Sequence, residues 1–537
     1  MTQSIEATQH GFLPANGTVK LVPLHKNPRE DEPESSELHS LPQIPSLVEE
    51  SEGGRLPKGQ LIITVATLTG VNFISSLSTG LLTVGLPRMA ADVELAEHLL
   101  LWPSSVYALT SGSCLLLAGS IADVVGNRIV NLVGCLTVGC FILACGLART
   151  GIELIMFRAL QGIAVSLCLP TSVAIVANAL PSGRARNIGF SCLGLVQPIG
   201  FSMGLILAGV FLDTVGWRFG YFLCGGLTLV LFFLSIWALP PDKVMEASIL
   251  TRLKTEIDWI GAIIACASLS LLSYVLANLT NDVSNIRRPS NLVVLIVSIA
   301  LMPSFIYWEN RQEQRERPML IPNFLWKNKV FTSICLMVLS SFAVLNSMEM
   351  FCSLFFQEVQ NLSALQASLR ILPSLIVGAI LQMATGLLID RISAFYLVVG
   401  SLVLSAGAPL LMAVIHVQWP YWYDAFFAQL LTPISADILF TVGLLVVSEV
   451  FPAHTQALAG AVFNTVAQFG NSIGLTVMAI ISSSATKRSS ITDKSSPSAL
   501  MVGYRASFWA AFVWMIVACV VGSFGLRRMG KVGIKRD

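Results

Sequence analysis

A chain of 537 residues with 54% hydrophobic and only 12% charged residues is not built like a soluble enzyme, since soluble domains run to about 25% charge. A formal charge of +2 leaves no footprint for nucleic acid. The six histidines (His10, His25, His39, His98, His416, His454) stand singly, so no histidine-built metal site is legible.

Residues 1–59 are rich in Pro, Ser and Glu, with 9 acidic against 5 basic residues and no apolar stretch. They read as a disordered cytoplasmic tail without a cleavable signal peptide. Crossing a bilayer as a helix takes about 20 mostly apolar residues. Fourteen stretches qualify: 61–84, 102–121, 129–148, 152–177, 188–211, 218–239, 259–279, 292–308, 330–354, 366–389, 395–415, 425–448, 457–481 and 506–526. The eighth is short and carries Pro303. Trp102, Trp217, Trp259, Trp308, Trp419 and Trp509 fall at or near span ends, where amphipathic rings anchor. With the amino terminus inside, 22 basic residues lie in inner segments and 9 in outer ones, which puts both termini in the cytoplasm. All eleven cysteines fall inside spans and read as small packing residues, not a disulfide framework.

Two motifs recur at one spacing. Gly119-Ser-Ile-Ala-Asp123-Val-Val-Gly126-Asn-Arg128 follows the second span, and Gly386-Leu-Leu-Ile-Asp390-Arg391 follows the tenth, 267 residues from Gly119 to Gly386. Gln197-Pro198-Ile-Gly200-Phe-Ser-Met-Gly204 in the fifth span has an echo in Gln468-Phe-Gly470-Asn-Ser-Ile-Gly474 of the thirteenth, 270 residues from Gly200 to Gly470. A shared offset predicts two homologous halves in parallel, with spans seven and eight inserted between them. The expected divisions are a tail at 1–59, a six-helix bundle at 60–239, a two-helix insert at 240–329, a second six-helix bundle at 330–530 and a short tail at 531–537.

The first loop resembles the signature Gly-x3-Asp-x2-Gly-x-Arg of the major facilitator superfamily. Arg158-Ala-Leu-Gln161-Gly162, Gly216-Trp217-Arg218, Asp258-Trp259-Ile-Gly261 and Phe356-Gln357 through Ser363 extend the resemblance to its drug:H+ antiporters with fourteen spans. Phe451-Pro-Ala-His-Thr-Gln456 and the tail resemble the fungal branch. The resemblance implies an all-α membrane protein of the major facilitator fold, two six-helix bundles plus two inserted helices. Two departures stand out. Leu77-Ser78-Thr79-Gly80 replaces the Leu-Asp-x-Thr common in the family's first helix, and the glycines after Pro198 are shifted.

Ionisable groups inside spans cost about 2.5–3.5 kcal/mol on insertion scales, so each one needs a reason. Arg158, Glu349 and Asp437 are the candidates for proton coupling, Asp437 foremost, and Arg370 lies near the outer end of the tenth span. Placed by the resemblance, Arg158, Glu349 and Asp437 face one cavity with Asn72. Gln161, Gln197 and the i, i+4, i+7 stripe of Asn464, Gln468 and Asn471 are amide candidates for the same cavity, with helix-to-helix bonding as the alternative for the stripe. Gly119, Asp123, Gly126 and Arg128 read as a conformational latch. Pro198, Gly200, Gly204, Gly470 and Gly474 read as close-packing and gating positions.

Enzyme readings fail on context. Gly200-Phe-Ser202-Met-Gly204 fits a hydrolase pattern, yet it lies in an apolar span with no intramembrane histidine. Neither a phosphate-binding Gly-x4-Gly-Lys-Ser/Thr loop nor a His-Glu-x2-His pair occurs. The expected protein is a secondary active transporter, not an enzyme, with no cofactor or metal. It would export drugs, toxins or fungal secondary metabolites in exchange for protons, by alternating access. The alternative is a proton-coupled or facilitative carrier of a small polar nutrient or ion. Its expected partners are a small-molecule substrate, protons and the lipid bilayer, with no nucleic acid. It would act as a monomer in the cell membrane, with the vacuolar membrane as the alternative.

Overall fold

The computed structural model describes residues 58–527, apart from 97–98, 181–183, 243–248, 282–285, 322, 389–391 and 452. The expected tail, save its last two residues, the expected carboxyl tail 531–537, and Asp390 and Arg391 of the second loop motif lie outside the described residues.

The described residues form helices and no strand. In chain order these are α1 (Lys58–Asp92), α2 (Trp102–Val125), α3 (Asn127–Leu147), α4 (Gly151–Ala179), α5 (Arg184–Asp213), α6 (Trp217–Ala238), α7 (Ile249–Thr255), α8 (Trp259–Asn281) and α9 (Pro289–Gln314). There follow α10 (Phe324–Lys327), α11 (Lys329–Leu354), α12 (Ala364–Leu388), α13 (Ala394–Val414), α14 (Ala425–Leu431), α15 (Ile434–Val450), α16 (Ala453–Arg488) and α17 (Pro497–Gly525). Among the described residues there are fourteen candidate spans, with α14 and α15 together making one and α7 and α10 lying between spans.

Several ends differ from the sequence expectation. The first helix runs on through Pro87 to Asp92. The eighth span is a 26-residue helix that passes Pro303 without a break. The last helix starts at Pro497, where the Ser496 hydroxyl accepts the Ala499 N–H at 3.4 Å. Arg505, one of the nine basic residues counted as outer, therefore sits within a helix. The added turns are polar and lie at either end of the apolar runs that set the expected lengths.

Helices α1–α6 pack mainly on one another, as do α11–α17. The face carrying Lys58 is termed near and the face carrying Asp92 far. On the far face the Asp92 carboxylate accepts from the Trp217 indole at 2.8 Å, joining the end of α1 to the start of α6. On the near face the Thr64 hydroxyl donates to the Ala238 carbonyl at 2.8 Å. Helix α8 lies beside α2 and α16 and packs on α9, which leaves Ile296, Ile299 and Ile306 more than half exposed, as a lipid-facing helix would.

The glycine repeats mark two equivalent crossings. A Cβ on Gly200 would lie 2.5 Å from the Phe73 carbonyl, and one on Gly204 would lie 2.2 Å from that of Leu77, so α5 presses directly on α1. In the same way a Cβ on Gly470 would lie 2.4 Å from the Leu339 carbonyl oxygen and one on Gly474 would lie 2.4 Å from Ala343, so α16 presses on α11. Small residues allow such backbone approach where lipid supplies no hydrophobic drive between helices. Pro198 leaves α5 continuous, and its carbonyl accepts the Ser202 hydroxyl at 2.7 Å. Gly204→Val is accordingly expected to cost about 3 kcal/mol or more by overpacking. Size-exclusion chromatography of the detergent-extracted protein should show most monodisperse material lost. Gly226→Val, at a position with open space around it, should not show that loss.

Candidate functional site

The two groups of helices are joined along the far half. The Ser353 hydroxyl donates to the Thr83 carbonyl at 3.1 Å and the Gln357 amide to that of Val84 at 3.1 Å, linking α11 and the π-helical turn Phe355–Val359 to α1. The Ser368 hydroxyl reaches the Leu205 carbonyl at 2.7 Å, and Thr476 reaches Ser105 at 3.2 Å. By contrast α4 packs on α1, α2, α3 and α5, while α15 packs on α11, α12, α13 and α16, each within its own group. The structure is thus shut at the far face, and α4 and α15 do not pack on one another to any extent comparable with their own groups.

Arg158 is fully buried on α4. Its guanidinium lies 4.2 Å over the Tyr107 ring and donates to the Pro103 carbonyl at 3.3 Å, the Ser78 hydroxyl at 3.4 Å and Gln161 Oε1 at 2.9 Å. The Gln161 amide also donates to Ser78 at 2.9 Å. Ser78 is the shared acceptor of this network. Among the described residues no acid lies within ion-pair distance of Arg158, and its Nη2 has no partner. A buried cation without a counter-charge is held here by dipoles and a ring face alone.

The carboxylates collect on the other side. Asp437 sits in the first turn of α15, just after the Thr432-Pro433 break, where the exposed N–H groups of a helix start favour negative charge. Its Oδ1 accepts from the Gln382 amide of α12 at 3.1 Å, and Gly378 leaves room for its Oδ2, since a Cβ there would lie 2.5 Å away. Glu349 on α11 is 9% exposed and within charge-interaction range of Asp437, and among the described residues no donor reaches its carboxylate. Glu349 and Asp437 thus lie on the neighbouring helices α11 and α15, and among the described residues neither pairs with Arg158.

The amide candidates divide. Asn72 is buried and turned into α1 and α4, donating to the Leu68 carbonyl at 3.0 Å and to Ser172 at 3.4 Å. Gln161 is spent on Arg158 and Ser78, so Asn72, Gln161 and Arg158 hydrogen-bond among α1, α2 and α4 and not to the two carboxylates. Gln197 is exposed, and its carbonyl accepts the Ser76 hydroxyl at 2.6 Å. On α16, Asn464 donates to its own helix at Gly460, Asn471 donates to Gln468 at 3.3 Å, and the Asn471 carbonyl accepts from Asn346 of α11 at 3.2 Å. The stripe is half-buried and keeps donors to spare.

At the near face Gly126 has φ of +117° and lies against Asp242, whose Oδ2 would be 2.4 Å from a Cβ there. Only glycine meets both demands. Asp242 accepts the N–H groups of Arg128 at 3.0 Å and Ile129 at 3.3 Å, capping α3 from outside the helix. The Arg128 side chain donates to the Ile236 carbonyl at 2.6 Å, and Arg252 of α7 donates to the Val124 carbonyl that ends α2. Asp123 is exposed and has no partner among the described residues, and Gly119 faces only Pro170 at 3.9 Å. Sequence reading missed Asp242, Gln382 and Asn346. Each is a lone polar residue whose importance comes from a neighbour more than 50 positions away. Among the described residues no group of three or more His, Cys, Asp or Glu is placed to hold a metal.

Comparison with known proteins agrees with this architecture. A family model described as Major Facilitator Superfamily matches residues 68–475. "MFS-type transporter 1" of Pyricularia oryzae is 38% identical over 97% of this chain and 92% of its own. The aminotriazole resistance protein of Saccharomyces cerevisiae is 26% identical over 76% of this chain and 73% of its own. A bacterial homologue of the human lysosomal transporter Spinster, solved inward-facing and unoccupied, superimposes with a TM-score of 0.61 at 15% identity, covering 88% of this chain and 98% of that one, which shows the shared fold. Fourteen membrane-length helices, two glycine-paired crossings and a family match over most of the chain together mean that this protein belongs to the major facilitator superfamily, as a multi-pass membrane transporter of small molecules and not an enzyme.

Proposed function

We propose that this transporter exports a small amphipathic compound, such as a drug, toxin or secondary metabolite, in exchange for protons. The observation that carries the reading is the pair of carboxylates Glu349 and Asp437, in charge-interaction range inside the membrane and without a basic partner. A buried carboxylate must lose its proton to one side and regain it from the other to couple a gradient to conformational change, and Asp437 on α15 lies on a helix free to close against α4. One proton moving down about 100 mV and one pH unit releases about 3.7 kcal/mol, enough to hold a roughly 500-fold substrate gradient at one-to-one exchange. The resistance protein among the relatives favours efflux over uptake.

With both termini cytoplasmic in the cell membrane, the near face is the loading side and the far-face contacts of Ser353, Gln357 and Ser368 form the closed gate. Alternating access then breaks these contacts and brings α4 to α15. Asp123, unpaired in this state, gains partners in the other, which is what a latch requires. The monomer carries the whole cycle.

Inside-out vesicles containing the protein test this directly. An acid-inside pH gradient should drive concentrative uptake of a cationic or neutral amphipathic dye, and collapsing the gradient with an ionophore should release it. Accumulation that ignores the gradient would overturn proton coupling, and loss of preloaded substrate on imposing the gradient would reverse the direction.

A further inference from the structure

A cavity of about 320 Å³ opens at the far face, between the loop that follows the π-helical turn at Phe355–Val359 and the connection from α13 to α14, and Gln360, Leu362, Arg370, Val417, Trp419 and Tyr421 line it. It lies wholly among residues of α11–α14 and their connections, apart from the carboxylates of the transport pathway. Arg370 is held from two sides. Its guanidinium carbon stands 5.5 Å from the Phe356 ring centre and 5.4 Å from that of Tyr421, and its Nη1 donates to Gln360 Oε1. The Tyr421 hydroxyl in turn donates to the Arg370 carbonyl at 2.7 Å, and the Gln360 amide to the Val417 carbonyl at 3.2 Å.

This cation is fixed but not neutralised. Among the described residues no carboxylate lies within ion-pair distance of Arg370. Glu358, two residues before Gln360, accepts from the Tyr504 hydroxyl. Asp424, three residues beyond Tyr421, is 3% exposed with neither oxygen hydrogen-bonded. Among the described residues the Nε and Nη2 donors of Arg370 make no hydrogen bond, and they are not sealed from solvent. A planar guanidinium with free parallel donors matches a carboxylate or similar oxyanion. The Trp419 and Tyr421 rings offer aromatic surface beside it, and the volume is that of a site for a small molecule.

We propose that this far-face cavity binds a small organic oxyanion with an aromatic or apolar body, its charge held by Arg370 and its body by Trp419 and Tyr421. The site is separate from the coupling carboxylates and stands whether or not transport uses protons. The same oxyanion chemistry is presented by a dissolved carboxylate and by an anionic lipid headgroup.

Equilibrium binding of radiolabelled benzoate to the full-length protein in uncharged detergent tests it. Saturable binding is expected, weakened about tenfold or more in Arg370→Gln and only partly restored in Arg370→Lys, because a charged hydrogen bond is lost and lysine lacks the planar fork. Leu362→Trp fills the cavity while leaving every Arg370 contact in place, and it should abolish binding in protein that remains monodisperse. Equal affinity in wild type, Arg370→Gln and Leu362→Trp, or no saturable binding to wild type, would overturn the proposal. Repeating the titration in phosphatidylcholine nanodiscs with and without phosphatidylglycerol separates the two sources: competition by phosphatidylglycerol assigns the oxyanion to a lipid headgroup, and its absence assigns it to a dissolved carboxylate.

Discussion

Asp437→Asn is expected to collapse concentrative transport from as much as about 500-fold to equilibration, because the substitution removes the group proposed to carry the proton and with it about 3.7 kcal/mol of driving force per cycle. The fold should survive. An asparagine carbonyl oxygen still accepts from the Gln382 amide, which now donates to Asp437 at 3.1 Å, and the side chain keeps its volume in the space left by Gly378. Exchange of labelled for unlabelled substrate across the membrane, which needs no net proton movement, should therefore persist. Measuring gradient-driven accumulation and exchange in the same vesicles separates a coupling role from a structural one. Full accumulation in Asp437→Asn would sink the assignment, and loss of both activities with misfolded protein would point to a structural carboxylate.

Arg158→Gln carries the second large effect. The native side chain makes three hydrogen bonds and stacks on Tyr107, and hydrogen bonds to charged groups are worth about 1.5–3 kcal/mol each. The desolvation cost of an uncompensated buried cation offsets much of that gain. Net destabilisation of about 2 kcal/mol is thus expected, together with at least a tenfold fall in transport, because Gln161 and Ser78 lose the group that orients them. Arg158→Lys should not restore transport, since an ammonium cannot span Pro103, Ser78 and Gln161 while lying flat on a ring. Thermal unfolding in detergent and initial transport rates check the two parts separately. A lysine variant with wild-type rates would show that positive charge alone matters there.

The membrane architecture was legible because its cause is one-dimensional. Around 20 apolar residues in a row satisfy a bilayer whatever surrounds them, and all fourteen stretches named from the sequence correspond to membrane-length helices. Errors gathered at ends where helices leave the apolar layer, as at Pro87 and Pro497. The glycines of α5 and α16 were legible for a related reason: a missing side chain at i, i+4 spacing says that something comes close, and the carbonyls of Phe73, Leu77 and Leu339 and the backbone of Ala343 are what come close.

The site was harder to read. Asn72 and Arg158 carry the right chemistry at the right depth, yet both turn into the contacts among α1, α2 and α4. In a soluble helix the polar face would reveal direction, but here lipid and protein core are both apolar, and the pattern that distinguishes inside from outside fades. The acid that caps α3 is Asp242, from beyond α6, and no local signal in the loop of Asp123 and Arg128 points to it.

Sequence alone therefore determined the number and place of the spans, the repeat that relates their two sets and the short list of intramembrane charges, since each follows from the cost of polar groups in hydrocarbon. Tertiary structure alone decided how that list divides. It put Glu349 and Asp437 on two helices packed against each other, left Arg158 resting on Ser78 and Tyr107 without a counter-charge among the described residues, and shut the far face through Ser353, Gln357 and Ser368. Those outcomes depend on the rotation of each helix about its own axis, which packing against its neighbours fixes.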